Sequence, residues 1–404
     1  MKKFMNTILL STSLALLAGL VLGVAGGQHT SFVPAEFELI ATDSVQLEYP
    51  AGIGPFESLY PHRTNHGLWV VGLHNEYGMA FAFKAGEAKV SDSILLPQMP
   101  GDARFFAVYP SDSGFWYGPI FGLYETEPRR VWVVKDGHVT AQIGVRGHSF
   151  VYNFELEDPS KDSASLETFY QAVFSDPIQL DDVTIVPVSS LMPGPARQKA
   201  GMAPVNLMYV HQLPSSNGFE AVSLPLPSEY INNFFPITFY SPFLSNGPRK
   251  SMFIGLPGSA KIYQVSPVAG NTVRLLDSME VGFGLAKPIH VAYEDYKSYM
   301  KSDFGYQIKA YEFGKYGEIA FDDSREWICR IVNRPTPPGQ PKGLLLVAHD
   351  LRTHAEHHWE LPPNEWYMGF WEGKHYFYYK DPSEDGSRVD YWIKSYELKP
   401  KAKK

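Results

Sequence analysis

FFAVYPSDSGFWYGPIFGLYETEPRRVWVVKDGHVTAQIGV, Phe105 to Val145, reads as four strands in succession. Phe105–Pro110 and Phe115–Ile120 are apolar and aromatic, and the Ser111–Gly114 link between them has the side chains of a tight turn. After a loop, the strand from Val131 and the alternating run that ends at Val145 flank a turn of Asp and Gly, which makes a hairpin. Short strands joined this way form an antiparallel meander.

The same unit recurs along the chain. Hairpins like the one from Val131 start at Met79, Leu207, Ala260 and Leu344, and each follows two further strands. These pairs are SLYPH with GLWVVGL, TFYQAVF with VTIVPV, ITFYSPF with KSMFIGL, and EIAFDD with EWICRIV. A sixth unit is split. YMGFWEG, KHYFYY and VDYWIKSYEL from Val389 supply three strands before the chain stops, while an orphan strand, FELIATDSVQLEYP, stands near the start. Hairpin starts are separated by 52, 76, 53, 84 and 45 residues, too regular for an arbitrary all-β chain. The expectation is an all-β, six-bladed β-propeller of four-stranded antiparallel blades, closed by Phe37–Leu47 completing the C-terminal blade. A pair of β-sandwiches, the rival, leaves the lone strand at each end unexplained.

Ahead of the first strand, Lys2 and Lys3 precede an apolar run from Ile8 to Val24 and the small residues Ala25–Gly27, the order of an export signal. The expected organisation is a signal peptide over 1–26, a single propeller over 35–398 and a basic tail over 399–404. An exported periplasmic or extracellular protein follows, with membrane attachment only if the signal segment stays uncleaved. No cysteine stands at the cleavage zone, which excludes a lipoprotein; the sole cysteine, Cys329, shares a strand face with Trp327 and Ile331 and reads as buried. A net charge of −8 lacks the basic footprint of nucleic-acid binding.

Three C-terminal segments carry a family likeness: FDDSREWICRIVNRP from Phe321, KGLLLVAHDLRTHAEHHWELP from Lys342, and HYFYYKDPSEDGSRVDYWIKSYEL from His375. With Phe321-Asp322 before the strand that carries Arg330, the aliphatic strand into Asp350 and the closing YWIKSYEL, the stretch Tyr316–Leu398 resembles an uncharacterised family of exported Bacteroidetes propeller-like proteins, a domain of unknown function. The resemblance implies fold and export but no activity. Many members carry a lipoprotein cysteine, which this chain lacks.

Catalytic motifs are sparse. Neither a nucleophile elbow, a metalloprotease helix, a phosphate-binding loop nor a cysteine pair occurs, so no catalytic residue and no cofactor is assigned. PSDSGFWY at Pro110 approaches an aspartate box but has Pro110 in place of its serine, and reads as a turn. Within the hairpin from Leu344, His354, Glu356 and His358 alternate and could face a transition metal. As a bend and an outermost strand they read instead as a polar outer face, with no metal assigned.

Long connections (121–130, 147–167, 190–205, 281–315 and 333–342) fall where a four-strand meander places them all on one face. Within 281–315, Pro288 opens an expected helix with Val291, Tyr296 and Tyr299 as its apolar stripe. Arg104, Asn233, Lys315, Tyr316, Trp366 and Tyr367, each near the start of an inner strand, are expected to surround the channel mouth and bind a ligand. Their side chains suit a sugar, a peptide or an anionic group. The favoured function is an envelope binding or scaffold module for a small ligand or an envelope protein. The alternative is a glycan-active hydrolase or lyase whose acid and base come from different blades.

Overall fold

The structure is a computed structural model. It describes residues 37–48, 56, 58–64, 66–74, 76–97, 104–105, 108–110, 116–121, 130–135, 138–144, 172–174, 178–180, 183–190, 205–211, 220–223, 227, 229–230, 233–235, 239, 242–268, 272–288, 290–292, 313–337, 340–341, 343–382 and 389–401. The expected signal peptide, the Ser111–Phe115 turn and Tyr296 and Tyr299 lie outside the described residues.

Strand β1 (Phe37–Gln46) precedes a meander of β2 (Ser58–Arg63), β3 (Leu68–His74), β4 (Met79–Lys84) and β5 (Asp92–Leu95). Next come β6 (Arg104–Phe105), β7 (Tyr109–Pro110), β8 (Trp116–Phe121), β9 (Arg130–Lys135) and β10 (His138–Gly144). The third group is β11 (Ala172–Phe174), β12 (Ile178–Leu180), β13 (Val183–Ser190), β14 (Val205–His211) and β15 (Glu220–Ser223). After β16 (Asn233–Phe234) follow β17 (Phe243–Asn246), β18 (Met252–Gly255), β19 (Lys261–Val268) and β20 (Thr272–Glu280), then β21 (Val291–Ala292). The last two groups are β22 (Lys315–Asp322), β23 (Trp327–Asn333), β24 (Leu344–Asp350) and β25 (Glu356–Leu361), then β26 (Trp366–Trp371), β27 (Lys374–Pro382) and β28 (Val389–Pro400).

Four complete antiparallel ladders of four strands run in the orders β2-β3-β4-β5, β17-β18-β19-β20, β22-β23-β24-β25 and β26-β27-β28-β1. Two further antiparallel ladders are built by β6 to β10 and by β11 to β15. The expected closing strand is in place: β1 pairs antiparallel with β28 from Phe37↔Pro400 to Gln46↔Trp392. One expectation is corrected at a single place. Val291, read as part of a helical stripe, lies in the strand β21 and pairs with β16 as Phe234↔Val291.

Strand period explains why these segments read as almost continuously apolar. Successive side chains point to opposite faces, and a strand covered on both faces needs apolar residues at every position. In β23, Trp327, Cys329 and Ile331 join a core cluster with Tyr367, Phe370, Phe377 and Leu398 of the β26–β28 unit. From the same strand, Ile328 and Val332 point the other way and pack with Phe253 and Ile262 of the β17–β20 unit. The hydrophobic core is thus divided into seams between neighbouring units.

Side-chain-to-backbone hydrogen bonds cross several of these seams. Tyr60 Oη donates to Val108 O (2.6 Å) and His62 Nε2 to Pro110 O (2.9 Å), joining β2 to the β6–β10 unit. Between β26–β28 and β2, Tyr378 Oη donates to Leu59 O (3.1 Å). Trp359 Nε1 donates to Phe37 O (3.0 Å) and Arg325 Nη2 to Leu398 O (2.8 Å), so the β22–β25 unit grips both chain-terminal strands. Burial of carbonyls beside other units requires such donors.

Candidate binding face

Inner strands of five of the units touch in turn: β17 with β22, β22 with β26, β26 with β2, β2 with β12, and β12 with β17. Where two of them pair, Ile178↔Arg63, the pairing is parallel. In an up-and-down meander, parallel first strands put their starts, and the connections from second to third and from fourth to next first strand, on one face. The opposite face gets the short hairpin turns 323–326, 351–355 and 372–373. Connections 281–314 and 334–343 belong to the first face, as the loop lengths implied.

Six residues were expected at this mouth, and their placements differ. Lys315 and Trp366 open β22 and β26; Lys315 is half-buried and Trp366 is 43% exposed, its ring stacked on Tyr378 with centroids 5.5 Å apart. Arg104 opens β6, but its side chain lies outside the described residues. Asn233 needs correction, since it stands in the short β16–β21 ladder ten residues before the first strand of its unit, and its Nδ2 donates to Glu229 O (3.0 Å). Tyr316 and Tyr367 need correction too. Both are 3% exposed, because the adjoining units cover the second residue of each strand.

Burial fixes what these two tyrosines do. Tyr316 Oη donates to Gly282 O (3.3 Å), and its ring faces the Arg330 guanidinium with Cζ 4.6 Å from the centroid. Arg330 is fully buried, donating Nη1 to Ala260 O (2.9 Å) and Nη2 to Leu256 O (2.8 Å). Loss of hydration lowers its pKa to about 10, still leaving it charged at neutral pH. Gly255 accommodates it: a Cβ there would stand 3.2 Å from Arg330 Nη2. Tyr367 shares a 2.9 Å hydrogen bond with His375 Nδ1, and burial drives the phenol well above its ordinary pKa and the imidazole down to about 4. Asp322, at the end of an inner strand, is taken up by Ser324 Oγ and by Arg325 Nη1 (2.8 Å) as a turn anchor.

Aromatic side chains that sequence reading missed stand exposed on the same face. Phe283 is 68% exposed between Gly282 (φ +72°) and Gly284 (φ +76°), while Tyr77 in the β3–β4 turn and Phe313 just before β22 are also exposed. The left-handed corners at both glycines hold the Phe283 ring outward, and the Gly-Phe-Gly spacing is the signal that could have identified it. Lys287 and His290 lie exposed in the same connection.

The histidine-rich hairpin is not the polar outer face expected. Glu356 and His357 are buried: His357 stacks on Trp327 (4.9 Å), and Glu356 Oε1 accepts from Gly282 N (2.8 Å) across the seam. His354 sits in the turn with φ +58°. Burial pushes the Glu356 carboxyl up, but the His349 and His358 imidazoles and the Gly282 N–H outweigh it and hold it at about 2.

No protein-family model matches the chain, and no curated protein matches it. Among solved structures, the Bacteroides fragilis protein BF0058, which its name describes as exported, superposes with a TM-score of 0.53 at 10% identity, covering 92% of this chain and 98% of that one. This chain has a propeller-like fold. Its four complete ladders are the four-stranded antiparallel blades of that architecture. The periplasmic gluconolactonase PpgL of Pseudomonas aeruginosa (TM-score 0.39, 10% identity, 85% of this chain and 86% of that one) and a streptogramin B lyase (0.39, 10%, 90% and 98%) are more distant likenesses. Among the described residues, no helix is long and apolar enough to cross a membrane.

Proposed function

We propose that this chain is an exported, six-bladed binding propeller that holds a sugar, a peptide or an envelope protein on the face where its long connections emerge. The observation that carries the reading is the exposure of Trp366, Phe283, Phe313 and Tyr77 at strand ends or turns of that one face. Exposed rings with nearby cations offer stacking and charge-assisted hydrogen bonds, and cost little ordering entropy when fixed by short turns. The blade count rests on the two ladders of β6–β10 and β11–β15 added to the four complete ones. Export rests on the Lys-rich, then apolar, N-terminal segment.

The test is a screen of the full chain against immobilised glycans and peptides, followed by titration of any hit with Trp366→Ala and Lys315→Ala. The expected outcome is at least a tenfold loss of affinity in Trp366→Ala with the thermal transition unchanged. Unaltered affinity in both variants would assign the ligand to another surface and defeat the proposal.

A further inference from the structure

A small polar cavity lies where the ring-closing blade β26-β27-β28-β1 meets the connection after β4. Asp43 of β1 is the direct partner of Ser395 in β28, and Ser395 is the direct partner of Tyr376 in β27. Directly opposed residues share a sheet face, and Lys374 joins the row because it precedes Tyr376 by two residues. All four line one cavity of about 210 Å³, and Gly86 of the neighbouring blade is also in its lining. Lys374 follows the 372–373 turn, which puts the cavity toward the face opposite the long connections. Backbone bonding holds the neighbouring wall in place, since Glu48 N, just after β1, donates to Ala88 O (2.7 Å).

Tyr376 is what marks this space for an occupant. The residue is 7% exposed, yet its Oη makes no hydrogen bond among the described residues, where a buried hydroxyl is normally paired. A Cβ on Gly86 (φ +85°) would have only that hydroxyl within 4 Å, at 3.9 Å, so the missing side chain leaves the room in front of it open. Burial, and then the Glu372, Asp43 and Glu397 carboxylates, raise the phenol's pKa and keep it a neutral donor. Two opposite charges share the cavity with it. The exposed Asp43 carboxylate accepts from Ser44 N (2.8 Å) and has no ion pair among the described residues. Lys374 Nζ has Glu397 Oε1 at 3.8 Å, beyond hydrogen-bond reach, so its donors are open. Ser395 Oγ shares a 2.9 Å bond with Thr42 Oγ1 and keeps further capacity.

We propose that this cavity binds a small zwitterion of the free amino-acid class, with Asp43 taking the ammonium and Lys374 and Tyr376 Oη the carboxylate. The volume is below the roughly 300 Å³ at which pockets for drug-sized ligands begin, which restricts the occupant to a small molecule. A ligand of single charge would meet one of the charged groups and be repelled by the other, whereas a zwitterion meets both. The lining comes from β1, β27, β28 and the connection after β4, so an occupant also ties the chain's first strand to the next blade.

The experiment titrates the full chain by calorimetry with glycine, L-alanine and L-serine, and in parallel with acetate, ethylamine and glucose. One equivalent of at least one amino acid is expected to bind and to raise the thermal transition, with the other three compounds at least tenfold weaker. Amino-acid binding should weaken at least tenfold in Asp43→Asn, Lys374→Met and Tyr376→Phe. Asp43→Asn is the safeguard against misfolding, because that side chain is exposed and the amide keeps an acceptor for Ser44 N. Failure of all three amino acids to bind the wild type, unaltered binding in both Asp43→Asn and Lys374→Met, or glucose held as tightly as the amino acids would each overturn the proposal.

Discussion

The two sides of the β22–β25 blade are packed by unlike chemistry. Toward β26–β28 the seam is aromatic: Trp327, His357 and Trp359 surround Phe37, whose ring meets Trp327 edge-on at 5.3 Å. Toward β17–β20 it contains a buried guanidinium, a buried carboxylate and the Ser245 hydroxyl, which accepts from Phe321 N (3.0 Å). A two-residue strand period allows one blade to carry both kinds of contact at once. At the aromatic joint, where the chain's first strand completes the C-terminal blade, the rings are accompanied by two bonds to backbone, Trp359 Nε1 to Phe37 O and Arg325 Nη2 to Leu398 O. Toward β17–β20 both carbonyls, Leu256 O and Ala260 O, are instead taken by one fully buried guanidinium, whose directional bonds fix the approach of the two blades.

Breaking the polar seam should have the largest effect. Arg330→Ala removes two donors from buried carbonyls and leaves a cavity, for a loss of about 4 kcal/mol. Urea unfolding measures it, with Arg330→Lys intermediate because one ammonium cannot span both carbonyls in the guanidinium's fork geometry. A loss in Arg330→Ala below that of an aromatic truncation across the blade would reverse the ranking of the two seams.

Acid should distinguish the seams next. His375 is fully buried on the aromatic side, and its pKa of about 4 lies below the ordinary value of 6.5. Between those values the unfolded chain binds a proton that the folded protein refuses, so stability is complete above pH 6.5 and falls as pH drops through 4. The loss over this window is about 3 kcal/mol, from 1.36 kcal/mol per pH unit. His375→Gln retains an acceptor for the Tyr367 hydroxyl and should abolish this part of the slope. Stability profiles of the two proteins that run parallel from pH 7 to 4 would contradict the assignment.

The contrast also shows what could be read from sequence. Hairpins expected at 79, 131, 207, 260, 344 and 389 begin at 79, 130, 205, 261, 344 and 389, because turn chemistry and apolar runs are local signals. The orphan first strand revealed closure for the same reason. Tyr316 and Tyr367 were misplaced because burial at a strand's second residue is decided by the neighbouring blade, distant in sequence. The pairing of His349 with Glu356 was missed because His349 was assigned to a bend over 349–353, whereas β24 continues to Asp350 and so sets His349 opposite Glu356. Arg330 stood out only through the family likeness, since an arginine inside an aliphatic strand carries no local indication of the carbonyls it meets.

The smallest effect should come from the aromatic closure. Phe37 is half-buried, so Phe37→Ala forfeits part of a phenylalanine's burial together with its edge-on ring contact, about 2 kcal/mol in all. Trp359→Phe keeps the packing but removes the N–H that reaches Phe37 O, for about 1 kcal/mol. Because β1 is also bonded to β28 along its length, neither change should open the ring at neutral pH. Hydrogen exchange can read the difference directly: the amides of β1 should lose protection in Phe37→Ala while those of β18 and β19 keep theirs. Equal loss at both places would mean that the two seams melt as one unit, and that the unlike chemistry on either side of β22–β25 does not divide the ring's stability.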